Sequence, residues 1–180
     1  MTATVQKIIL MAAVLQLSAA LQAAPPEGAR LVEAENFKAV KNAEVRPHSQ
    51  GNYLGVPSGG RMLRISRGSA ETEIDVQAEA EHRTHLRFLK SKDIDFTVRL
   101  EQDGRKIAEE AVSASTPLEA EKNSSFVWSS LTARLPKGKV RIVIERRGAN
   151  IQDFDCVVTS PASANYTPVI NDFFAPLYVS

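Results

Sequence analysis

At 180 residues, with 22 lysines and arginines against 21 aspartates and glutamates, the chain is nearly neutral; that balance excludes the basic excess by which proteins hold nucleic acid or anionic membrane. Its single cysteine, Cys156, excludes an intramolecular disulfide, so a fold in an oxidising compartment must rest on its core, with or without a metal. The length is that of one ordinary domain and leaves no room for a second.

At the N-terminus Lys7 precedes the apolar run IILMAAVL at 8–15, and small residues follow at Ser18, Ala19, Ala20, Ala23 and Ala24. This order predicts a secretory signal over residues 1–23, because the run is far shorter than the ~20 residues a membrane-crossing helix needs. Lys7 is the only charge removed with it, so the mature chain is expected to be formally neutral, secreted or periplasmic, and not inserted in a membrane.

The next segment, LVEAENF at 31–37, reads as a first strand. At period two Val32 and Ala34 face one way while Glu33 and Glu35 share the other face. Neighbouring carboxylates repel unless they are solvated or a cation lies between them, and a hard cation such as calcium takes roughly six to eight oxygens. Shorter alternating runs follow at 73–76 and 84–88, and then the clearest one, IDFTVRLE at 94–101. Asp103 and Gly104 supply the positive-φ pair of a tight hairpin turn, so the run from 105 to 112 is the partner strand. Residues 109–112 and 118–122 can each hold a short helical turn, but no sustained helical stripe occurs in the mature chain. Further strands are expected at 126–135, 140–145 and 154–159, separated by turn chemistry at 136–138 and 147–150.

Many short strands at roughly 8–12-residue spacing predict an all-β antiparallel sandwich or barrel over 31–159. Its first and last strands are expected to be neighbours, which would bring Asp155 beside Glu33 and Glu35. Cys156, between Phe154 and Val158 at strand spacing, reads as a buried, inert thiol. Residues 160–180 change to a loop composition and end with Phe173, Phe174 and Tyr178. That tail or linker either docks on the sandwich or begins a further domain, and it is the contact through which a protein partner would bind.

LVEAENF, the stretch GNYLGVPSGGRMLRIS at 51–66, LPKGKVRIVI at 135–144 and GANIQDFDCVVTS at 148–160 together resemble the family 6 and family 35 carbohydrate-binding modules. The resemblance spans nearly the whole core and implies a jelly-roll β-sandwich of the galactose-binding-like type. It also implies that Glu33, Glu35 and Asp155 form a structural calcium site joining the chain ends, and that a polysaccharide or other glycan binds at a loop-built tip or on a concave sheet face. By position, Asn150 resembles the tip asparagine, Tyr53 lies in a loop that often brings an aromatic, and Trp128 stands where a tryptophan is frequent. Aromatic planes suit the apolar C–H face of a sugar, whose hydroxyls need polar partners at the edges. Core packing is the other role open to Trp128, and turn formation the other role for Asn150.

An enzyme is not expected. His82 and His85, three apart on a strand, point to opposite faces, and His48 stands alone in a loop. Gly55-Val56-Pro57-Ser58-Gly59-Gly60 has its serine in the wrong place for a nucleophile elbow, and no phosphate-binding or dinucleotide glycine pattern is present. The reading is a non-catalytic glycan-binding module; the alternative is a sandwich without a sugar site, acting as a spacer or protein-docking module.

Overall fold

The computed structural model describes residues 25–47 and 55–168. The signal segment, His48, Tyr53 and the tail aromatics Phe173, Phe174 and Tyr178 lie outside the described residues.

Ten strands follow in order: β1 (Arg30–Glu33), β2 (Lys38–Pro47), β3 (Arg61–Val76), β4 (Ala80–Leu89), β5 (Asp95–Gln102), β6 (Arg105–Ser113), β7 (Glu119–Ala120), β8 (Phe126–Leu135), β9 (Gly138–Arg146) and β10 (Gln152–Pro161). They pair antiparallel in the order β6-β5-β9-β3-β10-β4-β8-β7, with β1 on β10 and β2 on β3. The long β3 joins the two halves of this curled sheet, because residues 63–65 pair with β10 and residues 69–76 pair with β9. The result is a jelly-roll sandwich.

The alternation at 94–101 puts Phe96, Val98 and Leu100 into the core, where they meet Val140, Ile142 and Ile144 of β9. Phe96 packs edge-on against Phe88 of β4 and Phe154 of β10, each at 5.0 Å between ring centres, so one aromatic cluster ties both layers together. Each such fully buried side chain contributes on the order of 2 kcal/mol. The hairpin turn is at Asp103 and Gly104, with φ of 50° and 75°, the left-handed pair that a two-residue connection requires. The outward residues of the same layer are charged. Arg99 bonds Glu101 and pairs with Glu109 and Glu145, and Arg141 bonds Glu71 and Glu101. This lattice is only partly exposed, with Glu101 buried, and Glu71, Glu73, Thr97, Arg99, Glu101, Arg141, Val143 and Glu145 put no aromatic on that face.

Two local expectations are corrected. The first strand ends at Glu33, and Ala34–Asn36 form a 3-10 turn closed by Phe37 N–H on the Ala34 carbonyl at 3.2 Å, so Glu33 and Glu35 do not share a strand face. Burial of Ala34 and Phe37 drives the turn inward. Residues 109–112 belong to β6, held extended by the ladder to β5, and 118–122 contains β7 rather than a helical turn.

Candidate functional site: the loop tip and the carboxylate clasp

The connections after β4, β6 and β9 gather at one end of the sandwich. Arg146, the last residue of β9, organises this end. Its fully buried guanidinium donates to the Asp95 carbonyl at 2.8 Å, to the Asp93 carbonyl at 2.7 Å and carboxylate at 3.0 Å, and to the Asn150 carbonyl at 3.0 Å. A buried cation must find acceptors for its donors, so one side chain fixes two loops. Gly148 lies directly on that guanidinium, where a Cβ would stand 2.6 Å from Nη2. Asn150 is exposed, and its Nδ2 donates to the Asp93 carboxylate at 3.0 Å. Next to it Ile151 is 48% exposed. The tip therefore presents a pre-organised amide–carboxylate pair beside an apolar side chain.

Trp128 is elsewhere. It is 3% exposed, its indole N–H donates to Glu121 Oε1 at 2.8 Å, and its ring meets His85 edge-on at 6.3 Å. Cys156, Val158, Leu31 and Tyr166 complete a small apolar cluster around it on the outer face of β4, β8 and β10. Among the described residues Trp128 and Asn150 share no bonding partner, and Tyr53 falls outside them. Of the three ligand residues read from the sequence, Asn150 stands at the tip and Trp128 is packed as a plug. Cys156 is 1% exposed, and burial pushes its thiol far above the usual range.

At the chain ends β1 pairs with β10, with Glu33 opposite Cys156. Ser58 bridges the acids there: its N–H donates to Asp155 Oδ1 at 2.8 Å, and its hydroxyl bonds Glu33 and, at 3.1 Å, the same Asp155 oxygen. Glu35 lays its carboxylate over Gly59, where a Cβ would stand 2.6 Å from Oε1. Behind them lies Arg87, 2% exposed, which grips Glu121 through two bonds of 2.6 Å, Asp155 at 2.5 Å and the Val56 carbonyl at 3.1 Å, with its guanidinium 3.9 Å from the Phe126 ring centre. Burial raises the Glu33 carboxyl, and Asp155 and Glu35 add to the rise against the Ser58 bond. Burial also raises Asp155, outweighing Arg87 and Ser58. Burial alone would raise Glu121, but the Arg87 fork overcomes it and holds that carboxyl low. Thus Glu33, Glu35 and Asp155 are brought to one corner of the fold. Among the described residues no three histidine, cysteine or acidic side chains already stand as a cage for an ion.

Arg87, Glu121, Ser58, Arg146 and Asp93 escaped the sequence reading. The one available signal was an arginine set between the apolar Leu86 and Phe88 of β4; its partners, 34 and 68 positions away, carry none.

No protein-family model matches the sequence, and no curated protein matches it. Solved structures do. A family 35 carbohydrate-binding module from Clostridium thermocellum superposes with a TM-score of 0.55 at 12% identity, covering 74% of this chain and 98% of that one. The C-terminal family 6 module of LamC, a marine laminarinase from Zobellia galactanivorans, gives 0.52 at 14% identity over 73% and 99%. The chain has the fold of the family 6 and family 35 carbohydrate-binding modules. An exo-β-1,3-galactanase from Phanerochaete chrysosporium, determined with β-1,3-galactotriose, matches over 76% of this chain but only 30% of its own, with a TM-score of 0.52 at 16% identity.

Proposed function

We propose that this chain is an exported, non-catalytic carbohydrate-binding module that takes a glycan at the loop tip. The observation that carries the reading is the exposed Asn150–Asp93 pair, set beside Ile151 and locked by buried Arg146. Sugar hydroxyls need paired donors and acceptors held in place, and a rigid site keeps the ordering cost of binding low. The module fold shared with the family 6 and family 35 structures supports the same reading, as does the match to a minor share of the galactanase. Calorimetric titration of the mature protein against a glycan panel tests it. Asn150→Ala is expected to weaken the best ligand at least tenfold while leaving the melting temperature within a few degrees. A folded protein that binds no glycan would overturn the proposal.

Calcium belongs to the same proposal. Among the described residues Glu33, Glu35, Asp155 and Glu121 meet one bonded cation, Arg87, and carboxylate oxygens are the donor set that calcium prefers. Glu33, Glu35 and Asp155 would hold the ion, which would supply charge neutralisation at the joined chain ends. At a hundredfold excess over its Kd, an ion bound only by the folded state adds about 2.7 kcal/mol. Melting in calcium should therefore exceed melting in chelator, and Glu35→Gln should shrink the difference. Equal melting temperatures would reject the ion and leave Arg87 as the sole counter-charge.

The docking alternative also has a specific observation behind it. The chain beyond β10 turns at Asn165, with φ of 45°, and seats Tyr166 against the Trp128 cluster. A face that receives the chain's own segment is suited to extended partners, and deletion of residues 169–180 with loss of a binding partner would favour that role.

A further inference from the structure

We infer that the open end of the core, opposite the loop tip, is a binding pocket for a small neutral phenol, one flat ring carrying a hydroxyl. The inference is independent of the glycan reading, because the two sites use opposite ends of the strands.

The strand registers place the pocket. β9 starts at Gly138, opposite Val76 of β3, and runs to Arg146 at the tip; β4 starts at Ala80, and β10 ends at Pro161, which pairs with His82. Along β4, Leu86 and Phe88 face the core, so at period two His82 points the same way. At this end a pit of about 170 Å³ lies between Ile74 and Val76 of β3 on one side and His82, Thr159 and Pro161 on the other. Ile74, Val76, His82 and Thr159 are all buried. Exposed Glu27, Arg30, Asp75 and Gln77 stand around its mouth.

His82 is the polar group of the floor with a bond still to make. It is 8% exposed, and its Nδ1 lies 3.0 Å from the Ala80 carbonyl. A carbonyl only accepts, so Nδ1 carries the ring proton and the neutral imidazole presents Nε2 as an acceptor. Nε2 makes no bond among the described residues, whereas the Thr159 hydroxyl is satisfied by Thr84 at 3.2 Å. An acceptor held away from water without a donor is costly, and a ligand hydroxyl removes that cost.

The walls define the ligand. An aliphatic cavity of about 150 Å³ accepts a benzene-sized molecule, so a single ring is the size that fits. The walls belong to two packed sheets, which makes the opening a slot suited to a flat ring. Nε2 requires a donor, and a phenolic hydroxyl supplies it. Glu27 and Asp75 outnumber Arg30 at the mouth, which disfavours a ring bearing a carboxylate.

The test is titration of the mature protein, labelled at its isoleucine, valine and alanine methyls, with phenol, toluene and benzoate. Phenol is expected to shift the Ile74, Val76 and Ala80 methyl resonances and to bind at least fivefold better than toluene, which has its size without the donor, and better than benzoate. In His82→Phe the preference for phenol over toluene should fall below twofold. Should that variant fail to fold, the methyl shifts and the phenol-to-toluene ratio of the native protein decide. Phenol binding no better than toluene or benzoate, a preference that survives in folded His82→Phe, or shifts centred on Asn150 in place of Ile74 and Val76 would overturn the site. Absence of any saturable phenol binding would overturn it too, and each of these results leaves the tip reading standing.

Discussion

Exchanging Arg87 for methionine is expected to destabilise the fold by about 3–5 kcal/mol, a fall of roughly 10 °C in melting temperature for a chain of this size. The side chain is 2% exposed and, among the described residues, is the one cation bonded to both Asp155 and Glu121. Asp155 is itself 1% exposed. Removing the guanidinium strands the Asp155 carboxylate in a low-dielectric setting, where an unpaired charge costs far more than the original pair contributed, and leaves the half-buried Glu121 without its fork. It also takes a donor from the Val56 carbonyl and the cation from the face of Phe126. Arg87→Lys keeps the charge but not the two-bond fork on Glu121, so its loss should be intermediate. Calorimetric melting of both variants checks the claim, and a change under 1 kcal/mol in the methionine variant would contradict it.

The second large effect concerns acid. His85 is fully buried and edge-on to Trp128, with the Tyr166 backbone as the polar group that faces its ring. Burial, reinforced by Arg83, lowers its pKa from 6.5 to about 4, with the Tyr166 backbone the one opposing influence. The unfolded chain therefore takes up this proton first as pH falls. Stability is lost between about pH 6.5 and pH 4, by on the order of 3 kcal/mol in total. Replacing His85 by phenylalanine removes the titration. The variant should lose about 3 kcal/mol less than the native protein on going from pH 7 to pH 4, measured by denaturant unfolding followed through Trp128 fluorescence. Parallel losses in the two proteins would show that His85 is not the acid-sensitive group.

Much of the sandwich was written in local pattern. The 94–101 alternation and the Asp103-Gly104 turn specify β5, β6 and the face that enters the core, because strand period and positive φ are local properties. β2 was not legible, since a kinked strand with one neighbour exposes most of its side chains and leaves no alternation to read. The pairing of Glu33 with Glu35 failed for a similar reason: burial of Ala34 and Phe37 breaks the strand into a 3-10 turn, and the two acids meet again only through Ser58 and Gly59. At the tip, Asn150 was readable from its turn context. Arg146, which holds it, was not, because its acceptors include backbone carbonyls some 50 positions away. For Trp128 two roles were open; its bond to Glu121 and its contacts with Cys156 and Val158 are those of a packed residue.

The central claim, that a glycan binds at the loop tip, is tested most directly by following amide resonances of the isotopically labelled mature protein as a glycan is added. The account predicts shifts at the Asn150 side-chain amide and along 91–94 and 147–151, with the Trp128 indole resonance unmoved. Shifts confined to Trp128 and its neighbours, or none with any glycan, would contradict it.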